Sequence, residues 1–199
     1  MEIEKYKGVT INDYIAFTKK WEGGLSRDIS DSASNNPCPT PYQGKLGWHT
    51  NIGITYAVWR SEFGKDNDAR FFTMNNEDWF RVFKGLYWDS MKGDDYKCFS
   101  VAVIVTGMAW GSGSARSGIT LQTALNKLGK QVTVDGKVGM RTIEAANSCN
   151  DVELFDEIMR LRIAFFKSIG AVGKTNNKFL KGWLNRANDY IKNFRPTNQ

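Results

Sequence analysis

The run over residues 99–109, FSVAVIVTGMA, carries no charge and no polar stripe, and it constrains this chain more than any other segment. A helix that is apolar on every side has no face to offer water, so it belongs at the centre of a fold with other elements packed around it. It is also far short of the roughly 20 apolar residues that a bilayer span requires. The segment is therefore expected to be a buried core helix. Gly111 and Gly113 are expected to break it. The Gly/Ser-rich stretch 111–118 that follows is the best boundary between two parts, residues 1–115 and 116–199. At 199 residues the chain can bury a sizeable core, either as one domain or as two small ones sharing packing.

Helix signals dominate elsewhere. Ile11, Tyr14, Ile15, Thr18 and Trp21 recur at spacings of three and four, which predicts an amphipathic helix with Thr10 as its N-cap. Thr55 can cap a short helix through Phe63 that Gly64 closes, and Asn75 or Asn76 can cap one carrying Trp79, Phe80, Phe83 and Tyr87. Further helices are expected around Leu121, Leu125 and Leu128, from about Val138, from the capping pair Asn150 and Glu153, and around Phe179 to Ile191. Asp135-Gly136 reads as a tight turn in which glycine supplies a positive φ. Strand signals are few, the best being a small hairpin within residues 45–55. The expected fold is mainly α, with one small β element and a helical C-terminal lobe.

Glu22 carries the sharpest chemical signal. It follows the first helix and is followed at once by Gly23-Gly24, which are expected to leave the helix through a left-handed conformation. A carboxylate on the last helical turn meets the negative end of the helix dipole, which disfavours ionisation. Partial burial acts the same way, and together they suit an acid that must hold its proton near neutral pH.

Other residues are open to two readings. Asp28 and Asp31 lie on the following loop, where they could hold a water as a base or simply shape a turn. Thr50 and Thr55 flank the Gly53 turn, where a hydroxyl could orient that water; Thr55 serves equally as a helix cap. Trp48, His49, Tyr87, Trp88 and Trp110 could line a cleft or pack in the core. Phe179 and Trp183 share one helix face and admit the same two readings. With a single histidine the chain offers no two-histidine metal site and no ready Ser-His-Asp triad, so neither metal nor cofactor is expected.

A helix ending in Glu22-Gly23-Gly24, a polar loop, then Thr50-Asn51-x-Gly53-Ile54-Thr55 resembles the opening of the glycoside hydrolase family 108 muramidases, of the lysozyme-like superfamily. Tyr87-Trp88-Asp89 is similar to the Tyr-Trp-Asp that closes a helix in that family. Leu121-Gln122-x-Ala124-Leu125, Val134-Asp135-Gly136-Lys137-Val138-Gly139, Thr142-Ile143 and the segment 178–186 resemble the peptidoglycan-binding domain that usually follows. The resemblance implies a lysozyme-like fold, Glu22 as the general acid, and an N-acetylmuramidase cutting the β-1,4 bond between N-acetylmuramic acid and N-acetylglucosamine.

Where the family has a short Asp-Pro-x-Asp-x-Gly-Gly turn, this chain has a longer insertion with Cys38, Pro37, Pro39 and Pro41. Residues 106–113 also lack the usual Asp and Asn. The resemblance therefore carries Glu22 over and no second carboxylate. A lytic transglycosylase using the same Glu22, or a peptidoglycan binder without turnover, are the competing readings.

Charge adds a partner class. Residues 1–115 hold 13 Lys/Arg against 14 Asp/Glu, whereas residues 116–199 hold 14 against 7. A second half with all the positive excess suits an anionic polymer or surface. No nucleic-acid-binding motif is present. The resemblance implies peptidoglycan glycan strands as the partner, bound by a monomer. Three cysteines give no disulfide framework. The N-terminus lacks an apolar signal region, so the chain is expected to be made in the cytoplasm and to reach the wall as a phage or prophage lysin or by another route.

Overall fold

The computed structural model describes residues 11–26 and 50–197. They group into two compact units, residues 11–26 with 50–84 and residues 85–197. Thr10 and the insertion with Cys38 lie outside the described residues.

In residues 85–197 the apolar run forms α4 (Phe99–Ser112), with every residue of 99–109 buried. It is covered by α5 (Ser114–Lys127), α7 (Asp151–Ile169) and α8 (Asn177–Phe194). Its few polar groups are satisfied locally. Thr106 Oγ1 donates to the Ala102 carbonyl at 2.8 Å, and Ser117 Oγ of α5 donates to the Val105 carbonyl at 2.7 Å. Burying each large apolar side chain contributes about 1.5–3 kcal/mol, so this helix supplies much of the unit's cohesion. Gly111 does not break it. The helix runs on to Ser112, and Gly113, with φ at 85°, is the one residue between α4 and α5. A lone glycine in that conformation turns the chain sharply enough to lay α5 back along α4.

Arg162 of α7 is buried beside α4. Its guanidinium donates to the Gly107 carbonyl at 3.3 Å and stands over the rings of Tyr190 and Phe166, at 4.7 and 5.5 Å from their centroids. Such ring faces carry negative potential that offsets part of the desolvation of a buried cation.

α5 leads into a tight loop and then α6 (Met140–Asn147). Gly136 has φ at 78°, as the Asp-Gly turn predicts. Gly118 of α5 lies so close to that turn that an added Cβ would stand 2.2 Å from the Gly136 carbonyl oxygen. Asn150 caps α7 by accepting from the Val152 and Glu153 N–H groups. No helix among the described residues is long and apolar enough to cross a membrane.

The other unit begins with α1 (Ile11–Lys20) and continues after residue 49 with a hairpin, α2 (Tyr56–Phe63) and α3 (Asn76–Phe83). Thr55 caps α2 by accepting from the Val58 N–H at 3.2 Å, and Gly64 closes it with φ at 77°. Asn75 and Asp78 form a reciprocal capping box at the start of α3. Aromatic rings fill the interior: Tyr14 of α1 meets Phe83 edge-on at 5.5 Å, and Trp79 stacks on Phe83 at 5.1 Å. Three two-residue strands form one antiparallel sheet in the order β1 (Leu25–Ser26), β2 (Thr50–Asn51), β3 (Ile54–Thr55). The hairpin falls where the sequence predicts it. β1 is a strand that the sequence does not announce, since two residues are too few to show alternation.

Two glycines separate close packing from helix propensity. Gly118→Ala should destabilise the chain by about 1–3 kcal/mol, because backbone and not a flexible side chain stands in the way. Gly182 in α8 has open space around its α-carbon, so Gly182→Ala should stabilise by about 0.5–1 kcal/mol. Denaturant melts of both variants check the opposite signs.

Candidate active site

Glu22 stands just beyond α1. The helix ends at Lys20, two residues earlier than the sequence predicts, and tightens: the Trp21 N–H donates to the Thr18 carbonyl at 3.0 Å and the Glu22 N–H to the Lys19 carbonyl at 3.1 Å. Such i to i+3 bonds satisfy the last carbonyls without a left-handed residue. Accordingly, neither Gly23 nor Gly24 takes the left-handed conformation expected of a helix-closing glycine. Both are exposed, and a Cβ on either would meet nothing within 4 Å. The pair leaves bare backbone beside a half-buried Glu22 and leads at once into β1. There the Gly24 carbonyl accepts from the Ile52 N–H at 3.4 Å.

The sheet register sorts its six residues into two rows. Ser26 pairs with Thr50 and Thr50 with Thr55, while Leu25 pairs with Asn51 and Asn51 with Ile54. Successive side chains of a strand point to opposite faces, so one face presents three hydroxyls in a row and the other presents Leu25, Asn51 and Ile54. Asn51 and Ile54 are buried, and Asn51 Nδ2 donates to the Phe71 carbonyl at 2.6 Å.

Along the hydroxyl row, Thr55 Oγ1 is engaged as the α2 cap. Thr50 Oγ1 is buried and has no hydrogen-bond partner among the described residues. Leaving such a group unsatisfied costs about 1–3 kcal/mol, which marks a place for a water or a substrate hydroxyl.

The turn that aligns this row is strained. Ile52 has φ at 47° and Gly53 at 75°, the positive pair of a type I′ hairpin. A β-branched residue rarely adopts that conformation. It is held by Trp79 Nε1, which donates to the Ile52 carbonyl at 2.9 Å, and by the Ile52 bond to Gly24. Strain of this kind persists only where surroundings fix it, and it gathers at functional sites.

The other site residues expected from sequence distribute plainly. Glu22, Thr50 and Thr55 lie in one unit, with Glu22 four residues before Ser26 and the two threonines opposite each other in the hairpin. Asp28, Asp31, Trp48 and His49 lie outside the described residues. Tyr87 and Trp110 belong to residues 85–197 and meet each other edge-on at 4.9 Å. Trp88 is a core residue: it is fully buried, and its Nε1 donates to Asp94 Oδ1 at 2.8 Å. Ser26 escaped the sequence reading, because only the pairing of β1 with β2 places it in the hydroxyl row.

The chain matches the family described as Glycosyl hydrolase 108 over residues 15–113, and the one described as Predicted Peptidoglycan domain over residues 117–188. It belongs to glycosyl hydrolase family 108. A solved structure similar to this family 108 chain is "Structure of Brucella abortus SagA", with a TM-score of 0.71 over 94% of this chain and 96% of that one, at 22% identity. The fold is thus the mainly α, lysozyme-like one with a small sheet. No curated protein matches the sequence. As a member of family 108 with a peptidoglycan domain behind it, the chain is a glycoside hydrolase that acts on peptidoglycan.

The turn strain can be measured. Ile52→Asn places a residue that tolerates the left-handed region at the first turn position, and should stabilise the chain by about 1 kcal/mol. A loss of stability in urea melts would show instead that the half-buried Ile52 side chain contributes more by packing than its backbone costs.

Proposed function

We propose that this peptidoglycan hydrolase is an N-acetylmuramidase that cuts the β-1,4 bond between N-acetylmuramic acid and N-acetylglucosamine, with Glu22 as its general acid. The observation that carries the reading is the buried Thr50 hydroxyl, without a hydrogen-bond partner among the described residues, in a hydroxyl row that begins four residues after Glu22. Glycoside hydrolysis needs an acid for the departing oxygen and a placed water for the oxocarbenium-like carbon. In this reading the glycosidic bond breaks with its electron pair going to the leaving oxygen, which takes the Glu22 proton. A water held at Thr50 adds to the anomeric carbon and releases its proton to a carboxylate base. Asp31 is our choice for that base, with Asp28 the alternative. Thr55, Trp48 and His49 are proposed as substrate contacts in the part of the chain that carries Glu22, and Tyr87 and Trp110 as substrate contacts of residues 85–197.

Glu22→Gln keeps size and hydrogen bonding but has no proton to give, so cleavage of purified sacculi should fall by about 10²–10⁴-fold. Retention of more than a tenth of wild-type turnover would remove Glu22 from the role. Asp31→Asn should cost more activity than Asp28→Asn. Mass spectrometry of the released muropeptides checks the bond: reducing N-acetylmuramic acid ends are expected. Reducing N-acetylglucosamine ends would mean the other linkage, and 1,6-anhydro ends a transglycosylase.

Thr50→Val separates activity from stability. It removes a buried hydroxyl that has no partner among the described residues, so stability should hold or rise by about 1 kcal/mol while turnover drops. Loss of both together would make Thr50 a structural residue.

We further propose residues 1–115 as the catalytic part and 116–199 as the wall-holding part, sharing one core. What supports the shared core is that α4, near the end of the first part, is covered by α5, which crosses the boundary, and by α7 of the second. A fragment of residues 1–115 should therefore expose the α4 surface of Val101, Ile104, Val105 and Met108 and aggregate. A monomeric, cooperatively melting fragment in gel filtration and circular dichroism would show two independent domains instead.

A further inference from the structure

A groove of about 480 Å³ lies between the 131–139 loop and the start of α6. That volume suits a small ligand or a short stretch of polymer. Asp135, Lys137 and Arg141 bring charges of both signs to its lining, and Val132, Val138 and Met140 bring apolar surface. No aromatic ring is among the described residues that line it.

The loop is organised from within. Gln122 of α5 is buried, and its amide makes four hydrogen bonds to three consecutive loop residues. Nε2 donates to Asp135 Oδ1 at 2.8 Å and to the Lys137 carbonyl at 3.0 Å. Oε1 accepts from the N–H groups of Asp135 and Gly136, at 3.1 and 2.8 Å. Two donors and two acceptor sites are the full capacity of a side-chain amide, so the loop's shape is set before any ligand arrives. The absent side chain at Gly118 permits the close approach that this requires.

The charged groups themselves are not all consumed. Asp135 Oδ1 also accepts from the Lys137 N–H at 2.8 Å, and these bonds hold its carboxyl below the usual carboxylate range. It is therefore an anion throughout the physiological range. Arg141 is exposed and makes no ion pair or hydrogen bond among the described residues.

We propose that this groove seats the peptide stem of peptidoglycan, gripping an ammonium at Asp135 and a carboxylate at Arg141 and Lys137, and that it does not seat the glycan. This rests on the reading of residues 116–199 as the wall-holding part and specifies what they hold. The sugar backbone is largely uncharged and offers ring faces that pack best on aromatic side chains, and this lining has none. Stem peptides carry free carboxylates, a free amine on their diamino acid, and alanine methyls that fit Val132, Val138 and Met140. An anion held in place by Gln122 and the Lys137 N–H, with the exposed cations Lys137 and Arg141 in the same lining, matches a zwitterionic peptide better than a neutral saccharide, because opposite charges on the ligand find partners on both sides.

The test uses the full chain with Glu22→Gln, titrated with the tripeptide L-alanyl-γ-D-glutamyl-meso-diaminopimelate and, separately, with N-acetylglucosamine tetramer, read by amide NMR. The tripeptide should shift residues 132–142, and Arg141→Ala should weaken its binding about tenfold. Asp135→Asn keeps the oxygen that accepts from Gln122 and Lys137 and removes only the charge, so it should weaken binding severalfold with the Gln122 side-chain amide signals unmoved. Tripeptide binding unchanged in both variants, or residues 132–142 shifted by the tetramer and not by the tripeptide, would overturn the proposal. Muropeptide release from sacculi by the wild-type chain reports on the enzymatic reading separately, since it does not depend on which part of the wall the groove holds.

Discussion

A helix with no polar face can exist in water only if other elements surround it, and residues 85–197 are organised by that requirement. α4 is buried from Phe99 to Ala109, and α5, α7 and α8 are its cover. Close packing around a central helix leaves no room for free polar groups, which is why Thr106 bonds back to Ala102 and Ser117 reaches the Val105 carbonyl. The same requirement explains the single-residue connection at Gly113, since a longer loop would carry α5 away from the surface it must cover. Arg162 is tolerated inside because a carbonyl and two ring faces receive it.

The candidate active site has a different physical basis. A sheet of six residues is too small to be stable by its own pairing. It is held from its buried side: Asn51 bonds to Phe71, Trp79 bonds to the strained Ile52 carbonyl, and Ile54 sits in the core. Those attachments fix the opposite side, where Ser26, Thr50 and Thr55 form their row. Strain at Ile52 and a Thr50 hydroxyl unsatisfied among the described residues both reduce stability. A chain selected for stability alone would remove both, so their presence in one hairpin is an argument for chemistry there.

The hydroxyl row and the C-terminal groove offer complementary chemistry. Uncharged hydroxyls in the unit that also carries Glu22 suit a sugar and a water. A groove with one anion held by Gln122 and two exposed cations in its lining suits charged peptide. A polymer that alternates neutral glycan with zwitterionic stems presents both kinds of surface, and the two proposals assign one to each.

Much of this was legible in the sequence. Its apolar run, caps and turn residues determined the buried α4, the α2 limits at Thr55 and Gly64, the Asn75 and Asn150 caps and the Asp135-Gly136 turn, because each depends on residues within a few positions of one another. Glu22 stands out in the sequence for the same reason, through the helix before it and the glycines after it, and its role as the acid is proposed from there. Tertiary structure alone decided what depends on distant partners. Ser26 joins the hydroxyl row only because β1 pairs with β2 across an intervening loop. Gly23 and Gly24 need no left-handed turn because the helix end tightens and passes straight into that strand. Gln122 looks like an ordinary helical glutamine until the close approach permitted by Gly118 sets its amide against the 135–137 backbone. Local pattern fixes a residue's conformation, but the use of its side chain is set by whichever backbone the fold brings against it.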